Sequence, residues 1–337
     1  MRRRRPDDST RAVDWFAGKL AVVTGGGSGI GRELVLQLAA EGCSVAACDL
    51  NADTVAETVT LAGRPPRTLV SGHVCDVSVE EQVLRFRDEL LQQHARVHVN
   101  LVFSSAGISG GHSFLGSLLG DSREEWERVF AIRWWGVYYC ARVFLPLLIA
   151  SGDGVLVNTS GMNGFWATYG PGKPGSAIST AEFAVKGFTE ALIEELRVAA
   201  PQVRVAVVMP GWVGTNMAAN SFPFLGLPPA EQMTDAQITE LFRQGEGALL
   251  QAGVDLRGVA PEDLRHFLAG ILGPFRDNAP LSAADAATII LDGVRSGAWR
   301  ILVGEDAKTI DARVRANPEA AYDYEQLFAG LAKPPWQ

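Results

Sequence analysis

A run of glycines near the start of the chain and one acidic residue downstream have the spacing of a nucleotide-binding turn. Residues 24–31 read Thr-Gly-Gly-Gly-Ser-Gly-Ile-Gly and lie between a short apolar run and an amphipathic stretch. Glycines at such a place let backbone amides at a helix N-terminus approach a diphosphate. Asp49 ends the next apolar run, about 20 residues on, where a carboxylate accepts hydrogen bonds from ribose hydroxyls and repels a 2′-phosphate. The pattern predicts an NAD site and disfavours NADP.

The elements around this turn alternate in a way that is typical of a parallel sheet. From Lys19 onwards, short β-branched runs alternate with longer amphipathic stretches, which predicts an α/β fold with a doubly wound parallel sheet of about seven strands. We expect the strands at Leu20–Thr24, Ser44–Asp49, Thr68–Cys75, Val97–Ser104, Val155–Ser160, Arg204–Met209 and Trp299–Val303. We expect helices at Ile30–Glu41, Ala52–Leu61, Val79–His94, from the cap Ser122 to about Ala150, and at Ala181–Ala199.

One domain accounts for most of the chain. With 337 residues, 47% of them hydrophobic, the chain can bury a large core. We expect a basic and acidic tail over 1–13, a single domain over 14–310 and a C-terminal extension over 311–337. Helical patterns lie between the sixth and seventh strands, and we interpret residues 215–281 as an extended helical lid over the site.

Four segments resemble the short-chain dehydrogenase/reductase family over about residues 14–310. They are the glycine turn and the segments after the third, fourth and sixth strands, Asp76-Val77, Ser105-Ala106-Gly107 and 210–215. The resemblance implies a Rossmann-type fold in which Asp76 and Val77 frame the adenine and the later segments line the ribose and nicotinamide. The residues expected to bind the cofactor are Gly25, Gly27, Ser28, Gly29, Ile30, Gly31, Asp49, Leu50, Asp76, Val77, Ser105, Ala106, Gly107, Pro210, Gly211, Val213 and Thr215.

The positions that perform the chemistry in this family carry other residues here. The family's relay consists of Asn, Ser, Tyr and Lys, with Tyr as the acid and base and Lys lowering its pKa. The resemblance aligns Arg133 with Asn, Gly161 with the catalytic Ser, Ile178 with Tyr and Glu182 with Lys. Isoleucine cannot transfer a proton, and a carboxylate raises the pKa of a neighbouring acid. We therefore expect an atypical member that lacks the usual relay.

Arg133, Glu182, Tyr169 and His112 remain as candidates for catalysis. Because an isolated buried charge is costly, we expect Arg133 and Glu182 to form a salt bridge across the site, unless both face solvent. Tyr169 and Lys173 have the letter spacing of a Tyr-Lys pair, but the Gly-Pro-Gly between them cannot form the helical turn that would join them. Tyr169 either enters the cavity as a single phenol or covers the core, and His112 could titrate near neutrality.

Composition and charge exclude several classes of partner. The formal net charge of -8 provides no attraction to nucleic acid or anionic lipid. The four cysteines are scattered, which indicates neither a disulfide framework nor a metal site. No apolar run approaches the roughly 18 residues of a spanning helix, so we expect a cytoplasmic protein without a membrane partner. Helices at 123–150 and 181–199, the first with an aromatic cluster, would join subunits in a homodimer or homotetramer, as the resemblance implies.

Three functions fit these observations. The first is an NAD-dependent oxidoreductase with a reassigned active site that acts on a hydrophobic small molecule. The second is a catalytically inactive relative that senses NAD or serves as a partner subunit. The third is a cofactor-free or redox-neutral lyase or isomerase in the same cavity. Fold alone does not separate them.

Overall fold

The structure, a computed structural model, describes residues 15–110, 117–118, 121–170, 175–251 and 253–330. Within these residues the main sheet has seven parallel strands in the order β3-β2-β1-β4-β5-β6-β9, and β7 pairs with β8 in a separate two-stranded sheet. The strands are β1 (Leu20–Thr24), β2 (Ser44–Asp49), β3 (Val70–Val74), β4 (Leu101–Ser104), β5 (Val155–Thr159), β6 (Arg204–Pro210), β7 (Val213–Gly214), β8 (Leu281–Ser282) and β9 (Arg300–Val303). The expected α/β fold with a doubly wound parallel sheet is confirmed.

Helices cover both faces of the main sheet. They are α1 (Gly29–Ala40), α2 (Ala52–Ala62), α3 (Glu80–Gln93), α4 (Arg123–Phe130), α5 (Gly136–Ser151), α6 (Ser176–Ala199), α7 (Asp235–Gln244), α8 (Glu246–Gln251), α9 (Pro261–Asp277), α10 (Ala283–Ser296), α11 (Glu305–Ala316) and α12 (Tyr324–Leu327). A π-helical segment, Ala131–Trp135, joins α4 to α5. Helices α3, α5 and α6 pack on one face of the sheet, and α1 and α10 pack on the other.

The central strands are apolar on both sides because both sides face helices. All five residues of β1 are buried. Val22 belongs to the apolar core on one face of the sheet, and its neighbour Val23 belongs to the core on the other face. β1 pairs in parallel with β2 and with β4, so the strand order reverses next to it. The carboxyl ends of the strands at such a reversal form the crevice where α/β proteins bind ligands.

The stretch between β6 and β9 folds over this crevice with an apolar cluster of its own, which includes Phe222, Met233, Ile238 and Leu268. The β7–β8 pair places Val213 opposite Leu281 and so joins the two ends of the stretch. Two helices lie near the middle of this stretch, because α7 ends before Gly245 and α8 begins after it.

Two other boundaries differ from the sequence prediction. β4 begins at Leu101, and Val97, which we had placed in this strand, is 81% exposed. The helix that we expect to begin at Ala181 begins five residues earlier, at Ser176, directly after Gly175. This extra turn matters for the site, because it places Ile178 on the helix, where it is buried in the core.

Helix α11 and the residues after it pack back onto the domain. A buried ion pair between Arg300 on β9 and Asp311 on α11 joins this segment to the sheet. Trp166, in the loop after β5, is completely buried in a cluster with Ile310 and Leu327. Its indole N–H donates to the carbonyl of Ala321 at 2.8 Å. The C-terminal segment therefore holds the loop that leads to Tyr169.

Candidate active site

One cavity of about 750 Å³ connects the glycine turn with the candidate catalytic residues. All but one of the expected cofactor-binding residues line it; Gly27 does not. Arg133, Gly161, Tyr169 and Glu182 line the same cavity. Ile178 is not among the lining residues, and His112 lies outside the described residues. The structure thus brings the predicted cofactor positions and three of the four catalytic candidates together.

The glycine turn has the shape that an anion site requires. Gly25 has a φ of +67°, which favours glycine. At Gly31 a Cβ atom would overlap the carbonyl group of Gly25, so only glycine allows α1 to begin this close to the turn. The N-cap residue Ser28 makes no side-chain hydrogen bond to the first turn of α1. The positive end of this 12-residue helix is therefore open to a negatively charged ligand.

Asp49 is held at the carboxyl end of β2. Its Oδ2 accepts the N–H of Gly27 at 3.0 Å, and its Oδ1 accepts the N–H of Asn51 at 3.1 Å. Arg32 donates to the carbonyl of Gly27 through Nε at 3.0 Å and through Nη2 at 2.6 Å. Each carboxylate oxygen keeps acceptor capacity for a further donor. Gly27, although outside the cavity wall, orients the carboxylate that lines it.

Thr24 orients the segment after β4. Its hydroxyl oxygen accepts the backbone N–H groups of Ser105 at 3.0 Å and Ala106 at 3.1 Å. On the other side of β1, the Asp76 carboxylate accepts the N–H of Ser78 at 2.9 Å and its hydroxyl at 2.6 Å. The sequence places Thr24 at the end of a strand and the start of the glycine turn, and the pairing of β1 with β4 adds this contact to the segment after β4.

Arg133 lies in the π-helical segment and connects three parts of the molecule. Its Nε donates to the carbonyl of Ile108 at 2.6 Å, and its Nη1 donates to Glu182 Oε1 at 2.7 Å. Its Nη2 lies 3.5 Å from the sulfur of Met217, a weak acceptor. The salt bridge expected between Arg133 and Glu182 is confirmed, with side-chain exposures of 10% and 6%. Neither side chain faces solvent.

The Glu182 carboxylate points at the backbone of Gly161. A Cβ atom at position 161 would lie 2.7 Å from Glu182 Cδ and would overlap Oε2. Oε2 is buried and has no hydrogen-bond partner in the described part of the chain. Burial raises the pKa of Glu182, and the charge of Arg133 and the backbone amide of Asn163 oppose this shift without cancelling it. Glu182 is therefore a carboxyl group that holds a proton more readily than usual.

Tyr169 enters the cavity close to this pair. Burial, and then the negative charge of Glu182, raise the pKa of its phenol. The backbone on both sides of it is fixed by Thr168, whose hydroxyl donates to the carbonyl of Gly170 at 3.1 Å. Of the two positions that the sequence allows for Tyr169, the structure favours the cavity, although the ring also packs against the core. Lys173 lies outside the described residues.

Several cavity residues were not found from the sequence. They include Asn163 after β5 and, in the stretch after β6, Asn216, Met217, Asn220 and Arg276. The Nδ2 of Asn220 donates to the hydroxyl of Ser28 at 3.0 Å, so this stretch contacts the glycine turn directly. These contacts join residues far apart in the chain, and no local pattern marks them.

Two further findings concern the described residues more generally. In the described ranges, no helix has both the length and the apolar character needed to cross a membrane. All four cysteines are buried free thiols.

Comparisons with known proteins agree with this architecture. The family model described as short chain dehydrogenase matches residues 19–225. A Mycobacterium tuberculosis protein named "Putative oxidoreductase SadH" is 34% identical over 319 residues, which cover 94% of this chain and 97% of that protein. The (3R)-3-hydroxyacyl-CoA dehydrogenase of Mus musculus is 33% identical over 205 residues, which cover 59% of this chain and 75% of that enzyme.

A solved structure extends the similarity to the fold. A short chain dehydrogenase/reductase from Burkholderia phymatum, solved in complex with NAD, superposes with a TM-score of 0.68 at 28% identity, covering 90% of this chain and 94% of that one. The levodione reductase structure, at 21% identity and a TM-score of 0.62, shares the fold. With the matched family model and the extended identity to its relatives, the chain belongs to the short-chain dehydrogenase/reductase family of oxidoreductases.

Proposed function

We propose that this protein is an NAD-dependent oxidoreductase that acts on an uncharged, largely apolar small molecule, with Arg133 and Glu182 in place of the family's usual relay. The observation that carries the proposal is the buried Arg133–Glu182 ion pair, which lies in the same cavity as the glycine turn and Asp49. An ionisable pair at the end of a cofactor cavity is a physical reason to expect chemistry there.

The residues at the glycine turn fit NAD. The open N-terminus of α1 suits the diphosphate. The Asp49 carboxylate suits the ribose hydroxyls and would repel the 2′-phosphate of NADP. Asp76 and Val77 line the cavity where the family resemblance places the adenine. When bound, NAD⁺ would supply the hydride acceptor and NADH the hydride donor.

The Arg133–Glu182 pair can manage the proton that accompanies hydride transfer. In the oxidation of an alcohol, the hydroxyl loses a proton, which the Glu182 carboxylate accepts, and bound NAD⁺ would take the hydride. The Nη2 of Arg133, whose contact is a thioether sulfur, donates a hydrogen bond to the substrate oxygen as its negative charge develops. In the reduction of a ketone the same groups act in reverse, and protonated Glu182 supplies the proton.

The charges in the cavity indicate the class of substrate. Arg133 and Glu182 neutralise each other, so the place for the reacting group favours neither a carboxylate nor an ammonium group. Apolar side chains supply much of the wall nearby: Ile108, Ile132, Met162, Trp212, Met217 and Pro223. Such a lining with a few polar groups is typical of sites for small apolar ligands.

One observation favours an alternative function. Arg133 already uses Nε and Nη1 on Ile108 and Glu182, and Glu182 fills the space beside Gly161. In this alternative the well-packed ion pair has a structural role alone and closes the cavity. The protein would then bind NAD without turnover, as a sensor or as the partner of an active subunit.

Calorimetric titration and a turnover assay separate these functions. Protein stripped of cofactor is titrated with NAD⁺, NADH and NADP⁺, and is then mixed with NAD⁺ and a panel of uncharged apolar secondary alcohols while NADH absorbance is recorded. The proposal predicts preference for NAD and turnover that Glu182→Gln abolishes while NAD binding is retained. Binding without turnover across the panel supports the alternative, and the absence of NAD binding refutes both.

The aromatic residues of the π-helical segment and α5 support self-association. Trp135 and, on α6, Phe183 are each 43% exposed. Trp134, Tyr138 and Phe188 form ring contacts beside them. An aromatic surface of this kind is typical of subunit contacts. We propose a homodimer or homotetramer through these helices, which light scattering of the purified protein tests directly.

A further inference from the structure

We infer that Arg276, at the end of α9, binds the diphosphate of the cofactor from the side opposite the glycine turn. This inference rests on the proposed NAD function and goes beyond it, because Arg276 lies outside the residues 19–225 that match the family model. Three observations lead to it: the position of Arg276, the charges of the residues that line the same cavity, and the exposure of its guanidinium to solvent.

Arg276 lies close to the glycine turn through two successive contacts. Gly29 in the turn approaches Thr215, since a Cβ atom on Gly29 would lie 3.1 Å from Thr215 Cγ2. Gly214, the residue before Thr215, packs so tightly against the carbonyl of Arg276 that a Cβ atom there would overlap it. Arg276 and the turn line the same cavity. A long arginine side chain starting at this place can extend toward an anion on the turn.

The balance of charge in the cavity favours a cation near the diphosphate. Asp49, Asp76 and Glu182 are acidic side chains that line the cavity, and a diphosphate adds further negative charge. Among the described lining residues, Arg133 and Arg276 carry the positive charges, and Arg133 is bound to Glu182. The N-terminus of α1 contributes only a partial positive charge. Arg276 is therefore the full positive charge available to the diphosphate.

The guanidinium of Arg276 can exchange its present partner for a phosphate. It donates to the carboxylate of its neighbour Asp277 through Nε at 2.6 Å and through Nη2 at 2.8 Å. The two side chains are 52% and 57% exposed, so water and salt screen the attraction between them. A diphosphate presents the fork of the guanidinium with a stronger, bidentate acceptor. The exchange keeps the charge of Arg276 paired throughout.

Arg257 supplies a matched control in the same stretch of the chain. It forms the same two-pronged bond with a nearby carboxylate, Asp255, at 2.9 and 2.6 Å, and is similarly exposed. Arg257 does not line the cavity. Substitution of Arg257 therefore removes an equivalent surface ion pair without touching the inferred site.

The experiment measures the dissociation constants of NAD⁺ and ADP-ribose for wild type, Arg276→Gln, Arg276→Lys and Arg257→Gln at low and high salt. We expect Arg276→Gln to weaken both ligands about tenfold at low salt, as loss of one charged hydrogen-bonding partner does. Arg276→Lys should weaken binding less than Arg276→Gln, and Arg257→Gln should bind both ligands with the affinity of wild type. Added salt should weaken ligand binding by wild type more than binding by Arg276→Gln, because salt screens the attraction between the Arg276 charge and the diphosphate, which the variant lacks.

The outcomes are separable. If wild type binds both ligands and Arg276→Gln binds them equally well, the inference is wrong while the NAD function stands. Loss of NAD⁺ affinity with unchanged ADP-ribose affinity also overturns it, because the contact would then be with the nicotinamide half. If wild type binds neither ligand, the proposed function fails and takes the inference with it.

Discussion

The carboxylate of Glu182 occupies the space that a side chain at position 161 would need. A Cβ atom on Gly161 would lie 2.7 Å from Glu182 Cδ and 2.8 Å from Oε1. A flexible glutamate could swing away from such an intrusion, but this one is bound to Arg133 and buried. Gly161 and Glu182 therefore fit each other, and the effect of a substitution at one position on stability should depend on the residue at the other.

We predict that Gly161→Ala lowers the free energy of unfolding by about 1–3 kcal/mol, the usual cost of overpacking a well-filled site. In a Glu182→Ala background the same substitution should cost almost nothing, because the overlapping carboxylate is gone. Urea denaturation of the four proteins in this double-mutant cycle measures the coupling. Additive effects of the two substitutions would show that the carboxylate is free to move.

A second glycine provides the control for backbone effects. Gly187 lies in α6, is exposed, and has nothing within 4 Å of a Cβ position. Gly187→Ala should leave the protein unchanged or stabilise it by up to about 1 kcal/mol, since alanine is the better helix former. A loss of stability there similar to that at Gly161 would indicate a general intolerance of alanine.

The raised pKa of Glu182 predicts how its contribution to stability depends on pH. Because burial raises the pKa in the folded state, the protonated form is the one that folding favours. The contribution is therefore fully present below the unfolded value of about 4.3 and is lost as pH rises through the folded value. Glutamine cannot titrate, so Glu182→Gln should gain stability relative to wild type as pH increases across this window.

Paired urea denaturation curves over a series of pH values measure this difference. Glu127→Gln is the control, because Glu127 forms an exposed pair with Arg123 on α4, and such pairs contribute little. The difference between Glu127→Gln and wild type should stay flat. An opposite slope for Glu182→Gln, with wild type gaining stability as pH rises, would mean that Arg133 dominates over burial.

Tyr169 should remain a neutral phenol over the whole working range of pH. Burial and the charge of Glu182 both raise its pKa, so phenolate formation at this residue requires a pH above the ordinary value of about 10. The ultraviolet difference spectrum between wild type and Tyr169→Phe, recorded during an alkaline titration of folded protein, should show no phenolate near pH 10. A phenolate signal close to neutrality would restore Tyr169 as an acid and base for the reaction.

Local sequence patterns predicted the parts of the fold that depend on local chemistry. β2 begins and ends where the apolar run and Asp49 indicated. The glycine turn lies between β1 and α1, as the spacing of its glycines required. The pairing of Arg133 with Glu182 followed from the cost of burying either charge alone. In each case the physical reason lies either in residues a few positions apart in the chain or in two residues of opposite charge.

Contacts between distant segments could not be predicted in this way. The hydrogen bond of Trp166 to Ala321 spans 155 positions, and that of Asn220 to Ser28 spans 192. Val97 is apolar and β-branched, yet the chain reaches the sheet only at Leu101, where it meets Ala21 on β1. The π-helical segment that carries Arg133 interrupts what looked like one continuous helix. These features are set by tertiary packing, which overrides local propensity.

The position of Asp49 predicts which cofactor the cavity prefers. Its carboxylate is oriented by the N–H groups of Gly27 and Asn51, and its charge repels a 2′-phosphate. Asp49→Asn keeps the size of the side chain and an oxygen acceptor but removes the charge. We expect this variant to shift the ratio of NADP⁺ to NAD⁺ affinity toward NADP⁺ by about tenfold, which corresponds to about 1.4 kcal/mol.

Asp53→Asn, in the first turn of α2 and outside the cavity wall, should leave the ratio unchanged. Calorimetric titration of both variants measures the two affinities. An equal shift in both variants would assign the preference to the overall charge of this region, and no shift in either would mean that the ribose lies away from β2.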